Sequence, residues 1–168
     1  MLIMAIDPSG SYYEGKGTTG WALFESETRT LLDYGNIKAV DFKTVNDYYK
    51  AVSTLIKPGM QVVIEEYLLY ASKAKQQINS KMETSKLIGY LQMHCYTHNV
   101  PYTMQLAGEV VKRWADYILV HKGIVKQGNN RLKNIYYALG RLTNEHERDA
   151  MRHAMHYITF KMKKEKKL

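Results

Sequence analysis

Two acidic residues each close a short apolar run: Asp7 after Leu2-Ile3-Met4-Ala5-Ile6, and Glu65 after Met60-Gln61-Val62-Val63-Ile64. Further along, His146 and Asp149 stand three residues apart, a spacing that puts both on one helix face, and Glu145 lies four before Asp149. Taken singly, each has an ordinary explanation. Asp7 precedes Pro8-Ser9-Gly10 and suits an Asx turn, Glu65-Glu66 suits a solvated pair, and His146 suits a surface position. The combination asks for more. Carboxylates and an imidazole gathered from distant segments repel one another unless cations sit between them, and carboxylate oxygens suit the hard ions Mg²⁺ and Mn²⁺. Two such ions about 3.5–4 Å apart stabilise both the attacking and the leaving oxygen in phosphodiester hydrolysis.

Strands and helices must position these residues. Residues 2–6 form a short buried strand ending at Asp7, and Ser11 to Thr19 a polar, glycine-containing loop. Strands at 20–24 and 29–37 follow, joined by the polar turn Glu25-Ser26-Glu27-Thr28, so they pair most simply as a hairpin. Over 42–56, Phe42, Val45, Tyr48, Tyr49, Val52 and Leu55 recur at threes and fours, predicting an amphipathic helix that Pro58-Gly59 stops. A strand at 60–65, a long helix at 80–97, a strand at 101–106 and a short helix at 108–117 come next. A basic connector leads to a helix predicted at 130–142 and a last one from 145 to about 163. Asn144 with Glu147 three residues on is a capping-box variant that marks where this last helix starts. The order predicts an α/β fold, a mixed sheet with helices on its faces, in one domain over 1–168.

The chain of 168 residues carries 24 basic and 16 acidic side chains, a formal charge of +8. Half of the excess lies in a basic tail over 161–168, which suits a solvated, frayed helix end. Lys112, Arg113, Lys122, Lys126, Arg131 and Lys133 face a single acid, Asp116, in the stretch between them. Such a block suits a polyanion, because each neutralised phosphate releases condensed counterions. No stretch approaches the roughly 18 apolar residues of a membrane span, and no basic region precedes the first apolar run, as it would in a signal peptide. One cysteine, Cys95, fits a reducing compartment, so a cytoplasmic location is expected.

Four stretches, in order, resemble the RuvC family of Holliday junction resolvases. They are Ile3-Met4-Ala5-Ile6-Asp7-Pro8-Ser9, Thr19-Gly20-Trp21-Ala22-Leu23, Val63-Ile64-Glu65-Glu66-Tyr67 and His146-Glu147-Arg148-Asp149-Ala150. The resemblance spans about residues 2–158 and implies an RNase H-like mixed five-stranded sheet flanked by α-helices. It also implies a homodimer that nicks opposed strands of a four-way DNA junction, leaving 5′-phosphates, with two Mg²⁺ ions per site and Mn²⁺ able to substitute. Asp7, Glu65, His146 and Asp149 would be the metal ligands, and Lys112 a catalytic lysine near the scissile phosphate. Lys122, Lys126 and Lys133 compete for the role of a second family lysine. Arg113 and Arg131 would join these lysines on DNA, with Tyr67 and Leu68 on the loop that meets bases. The setting implied is a bacterial cell or a phage-infected host.

The family's pattern is not kept everywhere. The loop from Ser9 to Thr18 is longer than usual, and Leu68 stands where many members place a phenylalanine. These departures leave open the sequence preference and any partnership with a branch-migration motor. A related nuclease acting on other branched DNA or on RNA–DNA hybrids would carry the same ligand set. A non-catalytic nucleic-acid-binding module would need only the basic surface.

Overall fold

The computed structural model describes residues 1–68, 82–129 and 134–162. Strands β1 (Leu2–Asp7), β2 (Thr18–Glu25) and β3 (Thr30–Lys38) are followed by helix α1 (Val45–Ser53), β4 (Gln61–Glu66), α2 (Glu83–Thr97) and β5 (Tyr102–Leu106). Two short helices, α3 (Ala107–Val111) and α4 (Asp116–His121), lead to β6 (Lys126–Gln127), β7 (Tyr136–Ala138) and β8 (Arg141–Leu142). Helix α5 (Glu145–His156) continues as a π-helical turn, Tyr157–Lys161. The main sheet has the order β3-β2-β1-β4-β5, with β1, β4 and β5 parallel and β2 and β3 antiparallel to their neighbours. This is the five-stranded mixed sheet that the sequence predicts.

β1 is apolar from Leu2 to Ile6 because it is central and covered on both sides. Its side chains alternate between the two faces. Ile3 and Ala5 join Val63 and the α5 residues Ala150, Met151 and Ala154 on one side. Met4 and Ile6 join Ile64, Tyr48 and Val52 of α1, and Leu87 and Leu91 of α2 on the other. Asp7 continues the first series and Glu65 follows Val63 in the same way, so both carboxylates belong to the face that α5 covers. No helix among the described residues is long and apolar enough to cross a membrane.

The structure departs from the predicted elements between the fifth strand and the last helix. The short helix predicted at 108–117 is split, and the connector contains α4. The helix predicted at 130–142 is, over its described part, a β-hairpin in which β7 pairs with β8. Its turn residues Leu139 and Gly140 both have positive φ, 47° and 77°. That is the requirement of a two-residue turn matching the twist of paired strands, and no α-helix accommodates it. The predicted start of the long helix, including Lys81, lies outside the described residues. The last helix starts as predicted: the Asn144 side chain accepts from Glu147 N at 2.9 Å, and Glu147 Oε2 accepts from Asn144 N at 2.8 Å.

The first turn of α5 crosses β2 at Gly20, where a Cβ would overlap the backbone of His146. Gly20 pairs with Asp7 across the sheet, so only a residue without a side chain lets the helix come down onto this strand. Gly20→Ala is expected to lower stability by about 1–3 kcal/mol, the usual cost of overpacking, by pushing α5 off the sheet. Thermal unfolding checks this; an unchanged melting temperature would mean that the helix has room to move.

Candidate active site

Strand register alone builds one row of residues across the sheet. Gly20 pairs with Asp7, and Glu65 pairs with Gln105. The β1–β4 ladder pairs Ala5 with Val63 and Ile6 with Ile64, so the next positions, Asp7 and Glu65, are neighbours about 4.8 Å apart in the backbone. The row reads Gly20, Asp7, Glu65, Gln105. Helix α5 lies over it and offers His146, Asp149 and His153, whose spacing of three and four forms one stripe.

The two sets of side chains meet at both ends of the row. His146 Nδ1 is 2.7 Å from Asp7 Oδ2, and His153 Nε2 is 2.8 Å from Glu65 Oε2. His153, only 1% exposed, also has Nδ1 at 3.0 Å from Gln105 Oε1. Asp149 is paired with Arg152, whose guanidinium also reaches Asp116 and whose Nε donates to Trp114 O at 3.0 Å. Each of the three carboxylates therefore has a partner on α5.

The electrostatics record the crowding. Burial pushes the Asp7 carboxyl up to about 6; the hydrogen bond from His146 opposes this, while the charges of Glu65 and Asp149 add to it. Burial raises Asp149 as well, against Arg152 and with Glu65. His146 is raised chiefly by its hydrogen bond to Asp7. Asp7, Glu65, Asp149 and His146 thus share one electrostatic neighbourhood. Among the described residues no three His, Cys, Asp or Glu side chains are already closed into a metal-binding group. The donor chemistry nevertheless fits a divalent cation. Carboxyls raised chiefly by burial, with the repulsion of neighbouring carboxylates adding to it, are what such an ion relieves.

The remaining expected residues are more dispersed. Lys112 and Arg113 line a cleft of about 560 Å³ with His156, Phe160 and Lys161, and the Arg113 guanidinium sits 4.9 Å from the Phe160 ring centre. His156 is one helical turn beyond His153, so this cleft lies toward the β5 side of the row, and none of the row's four residues lines it. Lys122 and Lys126 line a cleft of about 580 Å³ with Arg29 and Tyr137, under the β2–β3 turn. That turn lies at the opposite end of β1 from Asp7, roughly 17 Å away at the strand rise. Within one copy of the chain, neither lysine is brought to the carboxylates. Tyr67 packs, half-buried, on the α1/α2 side, and Leu68 is 41% exposed. Arg131 and Lys133 lie outside the described residues.

Sequence reasoning passed over Gln105, Arg152, His153 and Asp116. Two of them left a trace: His153 is seven residues, two helical turns, beyond His146, and Arg152 is three beyond Asp149. Gln105 and Asp116 become visible only when strands and helices are assembled.

The fold is an RNase H-like mixed sheet flanked by helices, with a cluster of acidic residues at its strand ends. No protein-family model and no curated protein matches the chain. Solved structures do match. T. thermophilus RuvC in complex with a Holliday junction substrate is 14% identical, over 96% of each chain, with a TM-score of 0.66. The structure of Thermus thermophilus RuvC is 16% identical, over 97% of each chain, with a TM-score of 0.64.

Proposed function

We propose that this chain is a metal-dependent endonuclease that resolves four-way or otherwise branched DNA by paired nicks. The observation that carries this reading is the row of Asp7 and Glu65 beneath a helix bearing His146 and Asp149, with like charges turned toward one another. Asp7, Glu65, Asp149 and the open nitrogen of His146 would hold Mg²⁺ or Mn²⁺, two ions per site. Bound there, the ions would supply an activated water and charge stabilisation on the phosphodiester. The similarity in fold to RuvC, one neighbour of which was solved on a Holliday junction, favours the branched substrate.

Paired nicks call for two sites related by a two-fold axis. Helix α2 turns Leu87, Ile88, Leu91 and Cys95 into its own core and leaves Tyr90, Met93 and Tyr96 exposed, the last at 79%. This second face suits a copy of the same chain, and Lys86 stands exposed at its start. Sedimentation in the micromolar range should show a dimer, free or on a junction.

Lys112 follows the end of β5 that carries Gln105, whereas Lys122 and Lys126 line a cleft at the opposite end of β1 from Asp7, which separates their roles. Lys112→Ala should lower the cleavage rate at saturating junction, because a lysine that meets charge in the transition state acts on turnover. Lys122→Ala and Lys126→Ala should weaken binding and each lower the salt slope by about one ion. Single-turnover cleavage and salt-dependent binding measure both. A Lys112→Ala enzyme at full rate would restrict that residue to holding DNA.

The deciding experiment offers the chain, with Mg²⁺ or with chelator, a synthetic four-way junction, a fork, a duplex and an RNA–DNA hybrid. Symmetric nicks confined to the junction, metal-dependent and bearing 5′-phosphates, are expected. Preference for the fork or the hybrid would redirect the substrate assignment. Binding without cleavage in Mg²⁺ would leave a non-catalytic module.

A further inference from the structure

His153 belongs to none of the ligand positions, yet it is among the most completely buried polar side chains of the molecule. Its two ring nitrogens face two oxygens: Glu65 Oε2 at 2.8 Å and Gln105 Oε1 at 3.0 Å. An ionised Glu65 can only accept, so the nitrogen that serves it, Nε2, has to carry a hydrogen. On a neutral ring Nδ1 is then an acceptor. Gln105 Nε2, meanwhile, is buried and has no hydrogen-bond partner among the described residues. Rotating the Gln105 amide half a turn about its last bond presents Nε2–H to Nδ1, which ends that isolation and selects the tautomer that donates to Glu65. The amide oxygen then takes the place without a partner among the described residues, a smaller penalty for an acceptor than for a donor.

We infer that His153, held by Gln105 from the neighbouring strand, is a positioning residue that fixes the Glu65 carboxylate for a divalent cation. The inference rests on the metal-site reading above. The relay is built into rigid elements: Gln105 pairs with Glu65 in the β4–β5 ladder, and His153 sits mid-helix in α5. With Oε2 engaged by the imidazole, the carboxylate is held against rotation and Oε1 is left for the ion. Groups that orient a metal-binding side chain in this way typically contribute about 10- to 100-fold to affinity or activity.

The test is Mn²⁺ binding, followed by the electron paramagnetic resonance of the free ion, alongside single-turnover cleavage. It compares wild type with Glu65→Gln, His153→Ala, His153→Gln and Gln105→Leu, each checked for folding by circular dichroism. Wild type should bind Mn²⁺ and Glu65→Gln should bind it far more weakly. His153→Ala should bind Mn²⁺ about 10- to 100-fold more weakly and cleave more slowly at unchanged junction affinity. His153→Gln, which keeps an N–H donor on a side chain of similar reach, should recover most of both. Gln105→Leu should weaken Mn²⁺ binding in the same direction, and it carries the test if His153→Ala does not fold. Folded His153→Ala or Gln105→Leu protein binding Mn²⁺ within twofold of wild type would overturn the role of the relay. Failure of the metal-site reading looks different: Glu65→Gln would then bind Mn²⁺ like wild type, whatever His153 does.

Discussion

Asp7→Asn is expected to do two opposite things: stop cleavage and stabilise the metal-free protein. Asp7 is 8% exposed, and burial pushes its carboxyl up to about 6 from an ordinary value of 3.8. Between about pH 4 and 6 the folded chain therefore holds a proton that the unfolded chain has released. Stability of the metal-free protein should fall as pH rises through this window and stay low above it. Asparagine removes the buried charge and still offers His146 an oxygen. The gain at pH 7 should be on the order of 2 kcal/mol, or about 4–8 °C in melting temperature for a chain of this size. Cleavage in Mg²⁺ should drop by ~10³-fold or more, because the position that would hold the cation has lost its charge. Junction binding should persist, since the basic side chains are untouched. Glu65→Gln and Asp149→Asn should share the loss of cleavage. Two of these three variants cleaving near the wild-type rate would sink the ligand assignment. An Asp7→Asn protein melting below wild type without metal at pH 7 would mean that the His146 bond outweighs burial.

Arg152→Met should be the most damaging single change outside the carboxylates. Arg152 is 8% exposed, its guanidinium bridges Asp116 and Asp149, and its Nε donates to the Trp114 carbonyl. Arg148 shares Asp116, with Nε 3.0 Å from Oδ1. Methionine keeps the apolar stem but leaves Asp149 without its cation and a buried carbonyl without its donor. Removing one side of a buried ion network costs about 3–5 kcal/mol, so the melting temperature should fall by about 10 °C. Lysine should rescue little, because one ammonium cannot fork to three acceptors. Adding Asp149→Asn should return part of the loss, the signature of direct coupling in a double-mutant cycle. A loss under 1 kcal/mol in Arg152→Met would show that Arg148 alone carries the network.

The five long strands, α1, most of α2 and the start of α5 were legible in the sequence because their signals are local. A strand buried on both faces is an unbroken apolar run, an amphipathic helix repeats at threes and fours, and the Asn144–Glu147 cap lies within four residues. The misreading of 130–142 has an equally local cause. Leu132, Ile135, Tyr136 and Leu139 recur at threes and fours as on a helix face, and the two positive φ angles at Leu139 and Gly140 are set by pairing, which periodicity does not report.

Asp7, Glu65, His146, Asp149 and Glu145 stood out together from residue type and position, since an acid that ends an apolar strand is visible without coordinates, and the family resemblance narrowed them to four. What each of them touches was not visible. Asp7 turns to a histidine 139 residues away rather than to its own turn, and Glu65 to a histidine 88 residues away. Only the packing of α5 across β2, β1, β4 and β5 brings those pairs within hydrogen-bond reach. The same packing separates lysines that the sequence lists side by side. Lys112 follows the active-site end of β5, whereas Lys122 and Lys126 are carried by α4 and β6 to the opposite end of the sheet. Composition and spacing determined which side chains could hold a cation; the register of four strands under one helix decided which of them meet, because distance along the chain carries no information about distance across a sheet.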